Sequence, residues 1–230
     1  AAYIRGEFVD LYTGRVYSAF DRLSHVREFP MDPTLPLMHA VDFNVDPNCS
    51  IVGFESNGTF YIWDEIVIEG GADTTMMCME FNRRFGGMKN RIMVTGDSSG
   101  AARSTKAAVS DYHIIRENYR RMFLEQFLGV DVPRSNPRVP DRVNAMQAAL
   151  RKGSIIVHPR CTNLIEDLAR VAWKDGTRDI DKGNRKLSHL SDALGYWVAR
   201  VAPIRSSSSR QRSRQFLEEV GKSRFSGVTL

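Results

Sequence analysis

Cysteine is scarce. Cys49, Cys78 and Cys161 are the only three in 230 residues, and no two stand in C-x-x-C spacing. That excludes a disulfide framework and argues against a structural zinc site, and it fits a reducing compartment. Long apolar runs are missing too: nothing approaches the roughly 20 residues that span a bilayer, and no signal-peptide pattern opens the chain. The expectation is a soluble cytoplasmic protein with no membrane partner. No G-x-x-x-x-G-K-[ST] occurs, so this stretch carries no P-loop ATPase. The chain also lacks an initiator methionine, and its start, Ala1-Ala2-Tyr3, reads like a domain excised from a longer protein.

What is present suffices for one folded domain with tails. Hydrophobic residues make up 42%, and the net charge is +5. The basic residues gather in three places: Arg83, Arg84, Lys89 and Arg91; then Arg116, Arg120 and Arg121; then Arg178, Lys182, Arg185 and Lys186. A single cluster of this kind is as often a solvated face as a binding surface. Beside paired acids the balance changes, because an acidic site that admits a polyanion needs basic flanks.

Residues 1–36, with a short strand near Glu7-Phe8-Val9 and prolines at 30, 33 and 36, read as an entry arm. Strands are expected at Leu37 to Phe43, Ser50 to Glu55 and Thr59 to Glu69, the last two joined by the hairpin dipeptide Asn57-Gly58. Asp73-Thr74 opens a helix with Met77, Phe81 and Phe85 on one face, stopped by Gly86-Gly87. Met76, Met77 and Met79 read as core packing. A buried strand, Ile92 to Thr95, ends at Gly96-Asp97. Helices are expected over Ala107 to Tyr119, Arg142 to Arg151, Asn163 to Trp173 and Ser188 to Val201, with a strand at Ile155 to Val157. Pro133, Pro137 and Pro140 interrupt the stretch before Arg142. The order implies an α/β architecture, a mixed sheet with helices on both faces, occupying residues 37–203. A basic Ser/Arg-rich flexible tail follows from 204 to 230, with a helical turn at Gln215 to Val220.

Three acids sit at the edges of apolar elements. Asp42 lies in Leu37-Met38-His39-Ala40-Val41-Asp42-Phe43, where an ionised carboxylate costs several kcal/mol to bury without a partner. Asp97 ends Ile92-Met93-Val94-Thr95-Gly96, although Gly-Asp-Ser is also ordinary turn chemistry. Asp192 sits in the helix whose buried stripe is Leu190, Leu194, Trp197 and Val201. Adjacent strand ends lie about 4.8 Å apart, so these carboxylates can converge. Carboxylates that close repel, and a hard cation, Mg²⁺ or Mn²⁺, relieves the repulsion. Two such ions about 3.5–4 Å apart would serve an in-line phosphodiester displacement. His189, three residues before Asp192 on the same helix face, is a metal ligand, a positioner of water or leaving group, or a surface histidine. Asp46 is a supporting acid or a turn former, and Asp64 and Glu65 lie mid-strand on opposite faces.

Taken together, these pieces resemble the nuclease domain of the large terminase subunit of tailed bacteriophages, an RNase H-like fold of the resolvase and integrase superfamily. The resemblance rests on Gly6-Glu7-Phe8-Val9, His39-Ala40-Val41-Asp42-Phe43-Asn44, Val94-Thr95-Gly96-Asp97-Ser98-Ser99-Gly100, Ile156-Val157-His158-Pro159-Arg160-Cys161 and His189-Leu190-Ser191-Asp192-Ala193-Leu194-Gly195-Tyr196. It spans roughly residues 4–202, and its last motif is the most specific. It implies that Asp42, Asp97 and Asp192 are the catalytic, metal-binding triad of an endonuclease cutting concatemeric viral DNA during packaging in the bacterial host cytoplasm. It also implies an upstream ATPase domain, double-stranded DNA as substrate, and the small terminase subunit, portal and procapsid as partners. The segment Arg178 to Lys186 stands where the family often has a hairpin beside the site, so Arg178, Lys182, Arg185 and Lys186 are expected on DNA.

Two other readings compete. Gly96-Asp97-Ser98-Ser99-Gly100 matches G-x-S-x-G, which would make Ser98 the nucleophile of an α/β-hydrolase with His158 or His189 as base. That reading leaves Asp42 unexplained and finds no oxyanion segment upstream. A non-catalytic DNA-binding or docking module would explain the basic clusters but has no need of buried acids.

Overall fold

A computed structural model describes residues 14–44, 46–102, 109–177 and 179–203. The expected strand at Glu7 to Val9, residue Arg178 and the tail from 204 to 230 lie outside the described residues. At the centre is β1 (Leu37–Asp42), antiparallel to β2 (Asn48–Ser56) and parallel to β4 (Ile92–Gly96). β3 (Thr59–Ile68) returns antiparallel along β2 through Asn57-Gly58, both at positive φ as a primed two-residue turn requires. β5 (Phe127–Val130) extends the sheet parallel to β4, and β6 (Ile155–Val157) extends it parallel to β3. The result is one six-stranded mixed sheet in the order β5-β4-β1-β2-β3-β6.

Side-chain alternation divides the core into two layers. Leu37 and Val41 of β1, with Ile92 and Val94 of β4, face α2 (Thr74–Phe85) and α3 (Asp111–Met122). Ala40 of β1, with Phe60 and Ile62 of β3, faces α4 (Val139–Arg151), α5 (Thr162–Arg170) and α6 (His189–Val201), where Trp197 is fully buried. Counting by twos from Ala40, Asp42 falls on the α6 side. This periodicity places the site.

Several expectations needed correction. The described part of the presumed entry arm belongs to the body. Val16, Tyr17 and Phe20 are buried in the α4–α6 layer, Val16 N–H donates to Val171 O at 2.8 Å, and the short α1 (Arg22–His25) follows, capped by Asp21. β5 was not foreseen. α4 begins at Val139, ahead of the expected Arg142, because Pro140 falls in the first turn, where its missing N–H costs nothing. α5 ends at Arg170 rather than Trp173, since Ala172 and Trp173 pair as isolated bridges with Arg15 and Ile180. Of the three methionines, only Met77 is core. Met76 and Met79 are exposed along an open groove with Val67, Ile68 and Met122.

Candidate metal centre

Asp42 closes β1 and Asp97 follows β4, and the two strands run side by side with Val41 opposite Gly96. The Asp97 N–H donates to Val41 O at 3.0 Å, so the two acids are neighbours across the parallel pair. Gly96 makes this approach possible. Its φ is +143°, and a Cβ there would stand 2.1 Å from Val41 O. Gly96→Ala should therefore prise β1 from β4 beneath both acids. The expected loss is about 2–5 kcal/mol of unfolding free energy in chemical denaturation, the sum of backbone strain and overpacking.

Asp97 caps the 3₁₀ turn Ser98–Ala101, accepting from Ser99 N–H at 2.7 Å, and its Oδ1 also accepts from Asn136 Nδ2 at 2.6 Å. The Asn136 carbonyl in turn accepts from Ser98 N–H at 2.8 Å. The proline-rich stretch before α4 thus delivers an amide to Asp97.

Asp192 lies in the first turn of α6 and is 2% exposed. Its Oδ1 meets an Arg142 guanidinium nitrogen of α4 at 2.6 Å, and its Oδ2 meets Lys182 Nζ at 3.4 Å. The two cations differ: the Arg142 side chain is 4% exposed and that of Lys182 62%. Burial raises the Asp192 pKa, the Arg142 charge opposes this and the Asp42 charge adds to it. Arg142 also lies over the Tyr196 ring at 4.4 Å, and Gly195 leaves room for its stem, since a Cβ there would come within 2.9 Å of Arg142 Cγ.

Burial drives the Tyr196 phenol upward, the Arg142 charge lowers it, and the Asp97, Asp42 and Asp192 charges raise it. His189 ties α6 to β1. Its Nδ1 stands 3.2 Å from Asp42 Oδ2 and 2.8 Å from Asn44 Nδ2, while Nε2 meets Arg185 O at 3.0 Å. The bond to Asp42 is the main cause of its raised pKa. Asn44 also donates to Asp42 Oδ2.

Among the described residues, no three acid, histidine or cysteine side chains stand together tightly enough to hold an ion as they are placed. Each carboxylate instead holds N–H partners. The donor chemistry nevertheless fits a hard divalent cation. Among the described residues, the bonds of Asp42 fall on Oδ2 and those of Asp97 on Oδ1, which leaves each a second oxygen, and Asp192 Oδ2 faces the exposed Lys182.

The remaining candidates divide. Lys186 pairs with Glu69 at 3.3 Å, and the Arg185 carbonyl serves His189, so among the described residues of the basic segment it is Lys182 that touches an aspartate of the centre. Asp46, ahead of β2, accepts from Gly70 N–H, beyond β3, at 2.9 Å, and Asp64 pairs with Arg84. Glu65 is buried and serves α5. His39 is a core residue stacked on Phe81, its pKa pushed down to about 3 by burial. Neither histidine of the hydrolase reading serves Ser98: His158 meets Arg160 and Trp63, and His189 meets Asp42, Asn44 and Arg185. Arg142, Asn44 and Asn136 escaped the sequence reading. Arg142 did carry a signal, a charge among Val139, Val143 and Met146 on an apolar helix stripe.

No protein-family model matches this chain, and no curated protein sequence does. Solved structures do. The large terminase of a thermophilic bacteriophage, in complex with ADP, is similar with a TM-score of 0.64 at 20% identity, over 86% of this chain and 47% of its own. The P22 large terminase nuclease domain is similar with a TM-score of 0.58 at 14% identity, over 83% and 94%. The large terminase nuclease from thermophilic phage G20c with bound cobalt gives 0.51 at 13%, over 81% and 95%. The chain thus spans less than half of the ADP-bound terminase and matches nearly all of the two nuclease domains. The fold is the RNase H-like fold of terminase nuclease domains, a mixed six-stranded sheet flanked by helices.

Proposed function

We propose that this chain is a divalent-metal-dependent endodeoxyribonuclease, the nuclease part of a large-terminase protein that cuts concatemeric viral DNA during genome packaging. One observation carries the reading: Asp42 and Asp97 stand side by side at the ends of β1 and β4, and the first turn of α6, which bears Asp192, meets Asp42 through His189 Nδ1 at 3.2 Å. Asp42, Asp97 and Asp192 would hold Mg²⁺ or Mn²⁺, in a two-ion arrangement. The ions supply charge neutralisation at the scissile phosphate and an activated water near neutral pH. His189, anchored through Nε2 to Arg185 O, orients Asp42 and is placed to move a proton at Nδ1. Lys182, Arg185 and Lys186, with Arg178 beside them in sequence, form the basic flank for the DNA backbone.

The cobalt in the G20c nuclease supports divalent-metal use, and the ADP in the longer terminase supports an ATPase domain elsewhere in the full protein. The small terminase subunit, portal and procapsid are the partners of this reading, and the host cytoplasm its location. No described helix is long and apolar enough to cross a membrane.

Supercoiled plasmid incubated with the protein should be nicked and linearised with Mn²⁺ or Mg²⁺ and left intact with EDTA. Chelation should lower the melting temperature by the modest amount that mass action on one site gives, without unfolding the protein, because Arg142 and Lys182 compensate Asp192 when the metal is gone. Cleavage that survives EDTA would overturn the proposal.

A further inference from the structure

Helices α5 and α6 start alike. Neither Cys161 before α5 nor Ser188 before α6 makes a side-chain cap. The first N–H groups of a helix need acceptors, and in both cases a buried acid from another element supplies them. Glu65 of β3 accepts from Asn163 N–H at 2.9 Å and from Leu164 N–H at 2.8 Å. Asp167 of α5, 1% exposed, accepts through Oδ2 from Leu190 N–H and Ser191 N–H, each at 3.1 Å. The series runs from β3 through α5 to α6 and ends at Asp192, the residue after Ser191.

We infer that Asp167 is a positioning residue of the acid centre, fixing the first turn of α6 and with it the directions of His189 and Asp192. The inference rests on the metal-site reading above. Three observations carry it. The turn entering α6 is strained in spite of its own bonds: Ser188 is a non-glycine residue at φ +80°, fully buried, and its hydroxyl has no partner among the described residues. Asp167 is retained at a cost, since its buried Oδ1 has no partner among the described residues and burial pushes its carboxyl up to about 7. Finally, both N–H groups that it holds lie between His189 and Asp192, so little slack separates the cap from the chemistry. An anion at a helix N-terminus also gains from the helix dipole, which a neutral residue would forgo.

The test compares Asp167→Ala with Asp167→Asn, which keeps one accepting oxygen. Mn²⁺ alone is titrated calorimetrically into the metal-free protein, amide exchange is followed at Leu190 and Ser191, and kcat is separated from KM on plasmid. Asp167→Ala should weaken Mn²⁺ binding about 10- to 100-fold, the usual effect of losing a group that orients a ligand. It should also lower kcat while leaving KM for DNA in place and speed exchange at the two amides, with Asp167→Asn recovering most of each. A folded Asp167→Ala protein with wild-type Mn²⁺ affinity overturns the inference. Should the alanine variant not fold, Asp167→Asn decides: faster exchange with unchanged Mn²⁺ affinity overturns it, whereas losses in parallel support it. A wild-type protein that binds no Mn²⁺ sinks the metal-site reading itself, which is a different result from variants that merely match the wild type.

Discussion

At a pH where His189 is neutral, an Asp42→Asn protein is expected to fold with at least wild-type stability and to lose DNA cleavage by about a thousandfold. The stability half follows from crowding. Asp42 is 4% exposed, and its charge is one of the causes that push the Asp192 pKa up, so removing it relieves repulsion. The asparagine carbonyl can still accept from Asn44 and His189, which now meet Asp42 Oδ2. The catalytic half follows from the donor set: an amide is a weak ligand for a hard cation, and several kcal/mol of charge stabilisation go with it. About 4 kcal/mol corresponds to roughly 10³ in rate. Thermal unfolding and plasmid cleavage on one preparation would separate the halves. Lost activity accompanied by lost stability would mean that Asp42 is a structural residue.

Arg142→Met should be the most destabilising single change near the site, lowering the unfolding free energy by about 3–5 kcal/mol in urea or guanidinium titrations. Arg142 and Asp192 are each almost fully buried, and removing one partner leaves the other charge without compensation, apart from Lys182 at the surface. The double replacement Arg142→Met with Asp192→Leu should recover most of the loss, because an apolar pair of similar volume avoids desolvating two ions. The pH dependence has a definite sign. Without Arg142 the folded Asp192 pKa, already raised, moves further above its unfolded value. The deficit should therefore be largest above the ordinary carboxylate range and shrink as pH falls and Asp192 takes up a proton. A deficit that grew on acidification would contradict the pairing.

The legible parts of this fold were those with local punctuation. β1 to β4 are apolar runs separated by Asn57-Gly58 and an aspartate-capped α2, and all four appear within one or two residues of expectation. β5 is four residues with a glycine at φ +134° on the sheet edge, a segment whose strand character comes only from pairing with β4. Asp42 was legible because an acid in a buried strand is expensive wherever it occurs. Which group partners Asp97 or Asp192 was not legible, although the charge of Arg142 on an apolar stripe marked it as needing a partner. Arg142 and Asn136 reach their aspartates from 50 and 39 residues away, and Glu65 reaches α5 from 98. Such pairings follow from helix packing on the sheet, which no local pattern encodes. Lys182 was expected on DNA, and its recorded partner is Asp192.

The strand order carries one more consequence. From neighbouring carboxyl ends, β1 turns away to β2 on one side, while β4 leads through α3 to β5 on the other. Connections that depart in opposite directions put no common crossover over these two strand ends, the kind of position at which open α/β sheets place their ligands. Where the acids meet is a property of chain routing rather than of the aspartates themselves. Substituting the acids should change the chemistry at these strand ends and leave their location alone.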